Sequence, residues 1–196
     1  MKKVGIIGAG AMGSGIAQVA ATAGHSVVLF DTKAEALSLS KSKLASVMDR
    51  LVEKGRLTSE EAQEIQKRIS YADHMKALSE SGIIIEAIIE NLDVKKGVFS
   101  SIESLVSKDC ILASNTSSLS IASIASACER SERVLGIHFF NPAPLMPLVE
   151  IIPAIQTADE ITDEARNIID SWKKITVLAK DTPGFIVNRV ARPFYG

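Results

Sequence analysis

One histidine and one glutamate in the second half of the chain have the types and spacing of an acid–base pair. His138 follows the apolar run 134–137, and Glu150 lies inside the apolar run 148–152. A carboxylate in a strand predicted to be buried is costly unless it is paired. The spacing of twelve residues, with a proline turn between, suits two adjacent elements that bring the side chains together. A paired carboxylate fixes the imidazole tautomer and makes the histidine a better base for removing a hydroxyl proton.

Two further polar side chains could complete such a site. Ser117 belongs to the polar run 114–118, directly after an apolar strand pattern, and Asn188 follows the turn at 181–184. Either side chain could hydrogen-bond a reacting oxygen and stabilise developing charge. Structural interpretations stay open as well. Any of the polar residues in 114–118 could cap the next helix, Asn188 could lie on the surface, and His138 could be a hydrogen-bonded structural residue.

The first 31 residues carry the most specific pattern of the chain. An apolar strand leads into glycines spaced G-x-G-x-x-G, a helical pattern follows, and Asp31 ends a second apolar strand. Gly8 permits a tight turn, Gly10 allows close approach of a pyrophosphate, and Gly13 allows close packing of helix on strand. The helix start supplies free N–H groups to the phosphates. Asp31 would bind the ribose hydroxyls and repel a 2′-phosphate, so the segment predicts NAD rather than NADP.

The same segment has an alternative interpretation as a signal peptide or a membrane span. Residues 4–30 contain no Asp, Glu, Lys or Arg and follow two lysines. Six glycines in this stretch disfavour a continuous helix. The apolar residues after Gly10 fall on one helical face, as a helix packed on a sheet requires. The pattern therefore favours a globular nucleotide-binding unit.

Composition agrees with a soluble globular protein. The chain has 196 residues, 46% hydrophobic residues and a formal net charge of −1, which gives no electrostatic argument for nucleic acid or a membrane surface. Cys110 and Cys128 form neither a disulfide framework nor a metal-binding spacing. We therefore expect no metal site and a reducing, cytoplasmic location.

Short apolar runs alternate with helical patterns, which predicts an α/β fold of the Rossmann type with a doubly wound, mostly parallel sheet. The predicted strands cover 3–8, 26–30, 83–87, 110–113, 133–137, 148–152 and 175–179. Residues 33–68 are predicted to form a protruding segment of one long and one shorter helix. Gly55 ends the first helix and Thr58 begins the second. A further amphipathic helix is expected before the last strand.

Several other polar residues are predicted to be exposed to solvent. His25 follows a glycine in a turn and His74 starts a polar segment, so we expect both imidazoles to be solvated. Lys95 and Lys96 lie on a charged helix face, where solvation is also expected.

Five ordered motifs resemble the L-3-hydroxyacyl-CoA dehydrogenase family over essentially the whole chain. They are GAGAMGSGIA at 8–17, EAIIEN at 86–91, SNTSSL at 114–119, HFFNP at 138–142 and DTPGFIVNR at 181–189. The run 141–147 and the ending 190–195 look more like the branch of phenylacetate degradation that oxidises 3-hydroxyadipyl-CoA.

The resemblance implies NAD-dependent oxidation of (3S)-3-hydroxyacyl-CoA to 3-oxoacyl-CoA. It implies that His138 is the base, that Glu150 is its partner, and that Ser117 and Asn188 contact the substrate. Asn141 and Lys54 match residues near the acyl-CoA thioester. The residues predicted to bind the cofactor are Gly8, Gly10, Ala11, Met12, Gly13, Asp31, Glu90, Lys95, Asn115, Ser117 and Asn141.

The family fold implies an NAD-binding domain, here residues 1–184, with an antiparallel edge to its sheet. Residues 185–196 match the start of a helical domain that completes the substrate cleft and forms a homodimer. The pattern there is an unfinished helix, so we expect a truncated chain in which dimerisation and full activity are in doubt.

Two other functions fit the same pattern. A catalytically silent structural or binding protein of this fold would keep the glycines but has no need of Ser117, His138, Glu150 and Asn188 together. A dehydrogenase acting on a free hydroxy acid or sugar acid would keep the glycines and need no contacts to CoA.

Overall fold

Eight strands form a single sheet in the computed structural model, which describes residues 1–191. The strands are β1 Val4–Ile7, β2 Val27–Phe30, β3 Ile69–Ala72, β4 Ile83–Glu86, β5 Ile111–Ser114, β6 Val134–Phe139, β7 Leu148–Pro153 and β8 Ile175–Leu178. The α-helices are α1 Ala11–Thr22, α2 Ala34–Glu53, α3 Ser59–Lys67, α4 Leu92–Glu103, α5 Ile121–Ala125, α6 Asp159–Ser171 and α7 Val187–Ala191. Short 3-10 helices cover Met75–Leu78 and Ser131–Arg133.

The order of the strands is β3-β2-β1-β4-β5-β6-β7-β8. All neighbours are parallel except β6 and β7, so the last two strands run opposite to the other six. This confirms the predicted doubly wound, mostly parallel sheet with an antiparallel edge. The order in which successive strands are added to the sheet reverses between β1 and β4, which are parallel neighbours. Ligands of such sheets bind at this point, outside the carboxyl ends of the strands.

Two hydrophobic cores cover the two faces of the sheet. The first joins the sheet to α1, α2, α3 and α6 through residues such as Ile16, Met48 and Ile169. The second joins it to α4 and α5 through residues such as Phe99 and Ile124. Because both faces are covered, β1, β2, β4 and β5 are buried throughout, which is why the strands read as continuous apolar runs.

The predicted helical pair at 33–68 is present as α2 and α3. Gly55 has φ +63 and separates the helices, and Thr58 forms a capping box with Glu61 at the start of α3. On α2 the buried residues are confined to Leu37, Ser40, Leu44 and Met48. The rest of the helix is available to solvent, which agrees with its polar composition.

Two predictions made from local pattern are wrong. Ile69–Ala72 forms the edge strand β3, which the pattern did not indicate because only Ile69 is buried there. His25 is buried rather than solvated. Its Nδ1 lies 2.8 Å from the Lys2 carbonyl oxygen and its Nε2 accepts a hydrogen bond of 2.9 Å from the Trp172 indole. Trp172 is far away in sequence, so local pattern could not show this contact.

Residues 4–30 form β1, α1 and β2. Within residues 1–191, no helix combines the length and the apolar composition needed to cross a membrane. The predicted helix at 185–196 begins at Val187, and residues 192–196 lie outside the part of the chain that the structure describes.

Candidate active site

A cavity of about 440 Å³ opens at the carboxyl ends of the central strands. Eight predicted site residues line it, which are Met12, Glu90, Lys95, Asn115, Ser117, His138, Asn141 and Asn188. Ala87, Ile88, Phe139 and Phe140 complete its wall. The structure thus brings together residues from the glycine-rich loop, from the loops after β4 and β5, and from the end of β6.

The structure brings the side chains of His138 and Glu150 into contact. Their role as a catalytic pair stays a prediction. The two residues are direct partners in the antiparallel register of β6 and β7, so their side chains leave the same face of the sheet. His138 Nδ1 lies 2.7 Å from a carboxylate oxygen of Glu150. Since an ionised carboxylate only accepts hydrogen bonds, Nδ1 carries the proton and the lone pair of Nε2 remains for a substrate.

Glu150 is fully buried, yet three donors keep it ionised. Its second oxygen accepts hydrogen bonds of 2.9 Å from each of the amides of Ile186 and Val187. Burial alone would raise the pKa of Glu150, but the hydrogen bonds from His138 and from these amides outweigh it and lower the pKa below its ordinary value. The carboxylate therefore ties the imidazole to the segment that carries Asn188.

Ser117 and Asn188 are in contact, because the Asn188 side-chain amide donates a hydrogen bond of 3.2 Å to the Ser117 carbonyl oxygen. The capping interpretation of residues 114–118 is wrong, since α5 has its N-cap at Ser120. The Asp181 carboxylate reinforces that cap by accepting hydrogen bonds from the Ser120 hydroxyl and from the amides of Ile121 and Ala122. Ser117 lines the cavity instead, and its hydroxyl lies 3.4 Å from the Glu90 carboxylate, to which it donates a hydrogen bond.

The glycine-rich loop fits a bound dinucleotide. A Cβ on Gly13 would lie 1.8 Å from the Gly8 carbonyl oxygen, whereas a Cβ on Gly10 would meet nothing within 4 Å. Within residues 1–191, no neighbouring atom excludes a side chain at position 10, and no side chain caps the N-terminus of α1. The Asp31 carboxylate lies beside the loop and accepts a hydrogen bond of 2.7 Å from the Ala9 amide. The loop offers open space and free N–H groups, as a pyrophosphate requires.

A buried ion pair that the pattern did not predict lies behind the cavity. The Lys95 ammonium is 2.6 Å from the Glu86 carboxylate, and their side chains are 1% and 0% exposed. The expectation that Lys95 is solvated is wrong, because Glu86 compensates its charge in the interior. One signal could have revealed Glu86: it ends the apolar run 83–85, and a carboxylate in a buried strand needs a partner.

The loops after β4 and β5 are joined by Glu90. Its carboxylate accepts hydrogen bonds from the Thr116 hydroxyl, the Ser117 amide and the Ser118 hydroxyl. Burial opposes ionisation, but these donors and the nearby Lys95 charge lower the pKa of Glu90. Glu90 therefore contributes a negative charge to the cavity.

Asn115 and Asn141 are held by the strands and loops around the cavity. The Asn115 side-chain oxygen accepts a hydrogen bond of 2.8 Å from the Phe139 amide, which links the end of β5 to β6. Asn141 lies in the loop between β6 and β7. The buried Lys174 ammonium secures that loop by donating to the carbonyl oxygens of Ala143 and Met146. Burial lowers the pKa of Lys174.

Lys54 is the one predicted substrate contact that the structure places elsewhere. It is exposed at the C-terminal end of α2 and is outside the set of residues that line the cavity. Its predicted contact with CoA stays a prediction.

A phosphate-binding loop and a buried histidine–carboxylate pair at one edge of a doubly wound sheet define a dinucleotide-binding domain of the dehydrogenase class. The family model described as 3-hydroxyacyl-CoA dehydrogenase, NAD binding domain, matches residues 3–182. The chain belongs to this family, and NAD is accordingly its cofactor.

The chain is similar to proteins of known name. It is 43% identical to the 3-hydroxyadipyl-CoA dehydrogenase of Escherichia coli (strain K12), covering 100% of this chain and 41% of the relative. It is 40% identical to the 3-hydroxybutyryl-CoA dehydrogenase of Bradyrhizobium diazoefficiens, covering 98% of this chain and 66% of the relative. The solved structure of (S)-3-hydroxybutyryl-CoA dehydrogenase from Ralstonia eutropha superimposes with a TM-score of 0.96 at 39% identity, covering 99% of this chain and 69% of that one.

Proposed function

We propose that the protein oxidises (3S)-3-hydroxyacyl-CoA thioesters to 3-oxoacyl-CoA with NAD. One observation carries the proposal: His138, whose Nδ1 lies 2.7 Å from the Glu150 carboxylate, lines a cavity that is also lined by Met12, from the glycine-rich motif at the start of α1. A base for the hydroxyl proton and a site for the hydride acceptor thus share one cavity. The relatives named above support a CoA thioester as the substrate.

His138 acts as the general base. NAD, which the glycine-rich motif and Asp31 would hold, would supply the acceptor for the hydride of the alcohol carbon. Nε2 of His138 takes the hydroxyl proton. The electron pair of the broken O–H bond then forms the second bond of the carbonyl group, while the electron pair of the C–H bond leaves with the hydride. The imidazolium formed in this step is stabilised by the Glu150 carboxylate, which accepts a hydrogen bond from the Nδ1–H group. Burial of both side chains strengthens this interaction because water is excluded.

Ser117 and Asn188 orient the oxygen that loses its proton. Both side chains line the cavity beside His138. A hydroxyl and a side-chain amide can each donate a hydrogen bond to the developing carbonyl oxygen. Asn141 and Lys54 are the residues we propose for contacts to the acyl-CoA.

The chain spans less than half the length of its Escherichia coli relative. We propose that the whole protein forms a homodimer through a helical domain, and that it acts in the cytoplasm. Two free, buried cysteines support a reducing location. Burial raises the pKa of Cys110 to about 11 and that of Cys128 to about 12, so both thiols are poor nucleophiles.

The substrate class is tested by comparing 3-hydroxyacyl-CoA thioesters of several chain lengths with their free acids, using the full-length protein and NADH absorbance. We expect oxidation of the (3S)-thioesters only. Faster oxidation of a free hydroxy acid would replace the proposal with the alternative dehydrogenase. Absence of turnover with tight NAD binding would favour a binding protein.

The cofactor loop is tested by two matched glycine variants. Gly10→Ala adds a methyl group in open space, so we expect normal thermal stability and NAD binding weakened by about tenfold or more. Gly13→Ala forces a contact with the Gly8 carbonyl oxygen, so we expect a lower melting temperature as well. Calorimetric titration and thermal unfolding separate the two effects. Undiminished NAD binding by Gly10→Ala would contradict the assigned phosphate position.

A further inference from the structure

Glu86 is placed where it can control the charge of the cavity wall without entering the cavity. One carboxylate oxygen accepts hydrogen bonds from the Lys95 ammonium at 2.6 Å and from the Ile88 amide at 2.7 Å. The other accepts one of 2.7 Å from the Ser114 hydroxyl. Its three donors belong to segments that border the cavity, and Glu86 itself is fully buried.

Lys95 needs this partner because of its position. It lies near the N-terminus of α4, where the helix dipole disfavours a cation, and its side chain is 1% exposed. An ammonium group that is buried at this end of a helix needs a carboxylate in direct contact, because a solvent-exposed carboxylate farther away would not compensate its charge. The second acidic neighbour, Glu90, is 3.5 Å from Lys95 and is 38% exposed. Glu86 is therefore the group that keeps the ammonium in the wall.

The three groups leave one negative charge in excess at this wall, since two carboxylates face one ammonium. The oxidised nicotinamide ring carries a positive charge and the reduced ring carries none. A negative excess stabilises the oxidised form selectively, whereas hydrogen bonds alone would not distinguish the two forms by charge.

We propose that Glu86 is a positioning residue that holds the Lys95 ammonium in the cavity wall and sets, together with Glu90, a preference for oxidised over reduced cofactor. This inference rests on the proposed function only in requiring NAD in this cavity. Removal of one unit charge at roughly 10 Å in a medium of effective dielectric about 20 changes the binding of another by roughly tenfold. Water in the cavity reduces this, so we expect about a three- to tenfold effect.

The test is the ratio of the dissociation constants for NAD+ and NADH, measured on the full-length protein without substrate. NADH is titrated by its fluorescence and NAD+ by competition. In Glu86→Gln we expect the ratio Kd(NAD+)/Kd(NADH) to rise about three- to tenfold. The double variant Glu86→Gln/Lys95→Met regains the negative excess through Glu90, so its ratio returns towards that of the wild type even though both affinities fall.

A merely structural role would not give this pattern. Damage to the network would weaken both cofactor forms alike, and the double variant would be no closer to the wild type than Glu86→Gln. An unchanged ratio in Glu86→Gln overturns the proposal. Should that variant not fold, Glu90→Gln removes the same charge excess at a partly exposed position and must shift the ratio in the same direction.

Glu103→Gln is the matched control. Glu103 lies at the other end of α4, its side chain is 13% exposed, and it pairs with Arg133 away from the cavity. We expect a loss of thermal stability with an unchanged ratio. A wild-type protein that binds both forms of the cofactor but oxidises no 3-hydroxyacyl-CoA would overturn the proposed function and leave this inference standing.

Discussion

Two buried carboxylates on the same sheet are built alike and paired differently. Glu86 on β4 and Glu150 on β7 are both fully buried. Glu86 accepts a hydrogen bond from the Ile88 amide, and Glu150 accepts one from each of the amides of Ile186 and Val187. Each also contacts a basic side chain at 2.6 to 2.7 Å. The partner of Glu86 is Lys95, whereas the partner of Glu150 is His138.

The difference in partner separates two tasks. In general a lysine stays protonated over the physiological pH range, while a histidine gains and loses its proton within it. The pair at β4 is therefore suited to a fixed charge, and the pair at β7 to proton exchange. The carboxylate alone does not determine the role, because the same buried acid serves both.

The largest expected effect comes from removing the exchangeable partner. His138→Ala lacks the base, so kcat for 3-hydroxyacyl-CoA oxidation should fall about 10²–10⁴-fold, while the dissociation constant for NAD stays within a few-fold. Stopped-flow NADH formation and equilibrium titration on the full-length protein measure the two quantities. If kcat of His138→Ala stayed within a few-fold of the wild-type value, the His138–Glu150 pair could not be assigned to proton exchange. Exposed His74 provides the control, since His74→Ala should change neither quantity.

Neutralising each carboxylate in turn sharpens the comparison. Glu150→Gln removes the charge that stabilises the imidazolium, so we expect kcat to fall about 10²-fold or more. Glu86→Gln should act on cofactor binding and lower kcat by less than about tenfold. Steady-state kinetics at saturating NAD resolve the two outcomes. Equal losses of kcat would mean that both carboxylates serve the same step.

A smaller effect concerns stability and pH. Folding lowers the pKa of Glu150 from its ordinary value of 4.5, because the hydrogen bonds it accepts outweigh burial. The stabilisation is therefore fully present above this value and is lost as the pH falls through the folded-state pKa. Glu150→Gln should be less stable than the wild type at pH 7, and the gap should narrow below about pH 4. Urea unfolding across this range gives the gap directly. A gap that widens on acidification would contradict the direction of the shift.

The smallest effect is expected at a residue outside both pairs. Asp31→Ala removes the carboxylate that repels a 2′-phosphate, so discrimination between NAD and NADP should fall about tenfold with little change in kcat. Titration with both cofactors tests this. An Asp31→Ala protein that still rejects NADP as strongly as the wild type would assign the selectivity to another residue.

Local sequence carried much of this arrangement and missed specific parts of it. The glycine spacing and the apolar runs located the phosphate loop and seven of the eight strands, because both signals reside in consecutive residues. Glu150 was predicted to pair with His138 because a carboxylate in an apolar strand demands a partner. The pairing of Glu86 was not predicted, although Glu86 also ends an apolar run, because its partner Lys95 has the pattern of a surface lysine until the fold brings α4 against the end of β4.

His25 shows the same limit. Its partners are the Lys2 carbonyl oxygen and the Trp172 indole, and the second comes from an element that packs only once the sheet is complete. Polarity along the chain predicts solvation when no partner is visible nearby. Contacts of this kind depend on topology, and the topology is set by the whole sheet rather than by the segment around the histidine.

The segment 181–188 is fastened to the loop after β5 at both of its ends. The Asp181 carboxylate accepts hydrogen bonds from two amides at the start of α5, and the Asn188 side-chain amide donates one to the Ser117 carbonyl oxygen. A segment that is hydrogen-bonded at two points is less free to move than one that is held at a single point. Asn188 is thereby coupled to Ser117, and the Ile186 and Val187 amides join the same segment to Glu150 on β7. One short stretch of chain therefore holds together the substrate side of the cavity and the carboxylate partner of His138.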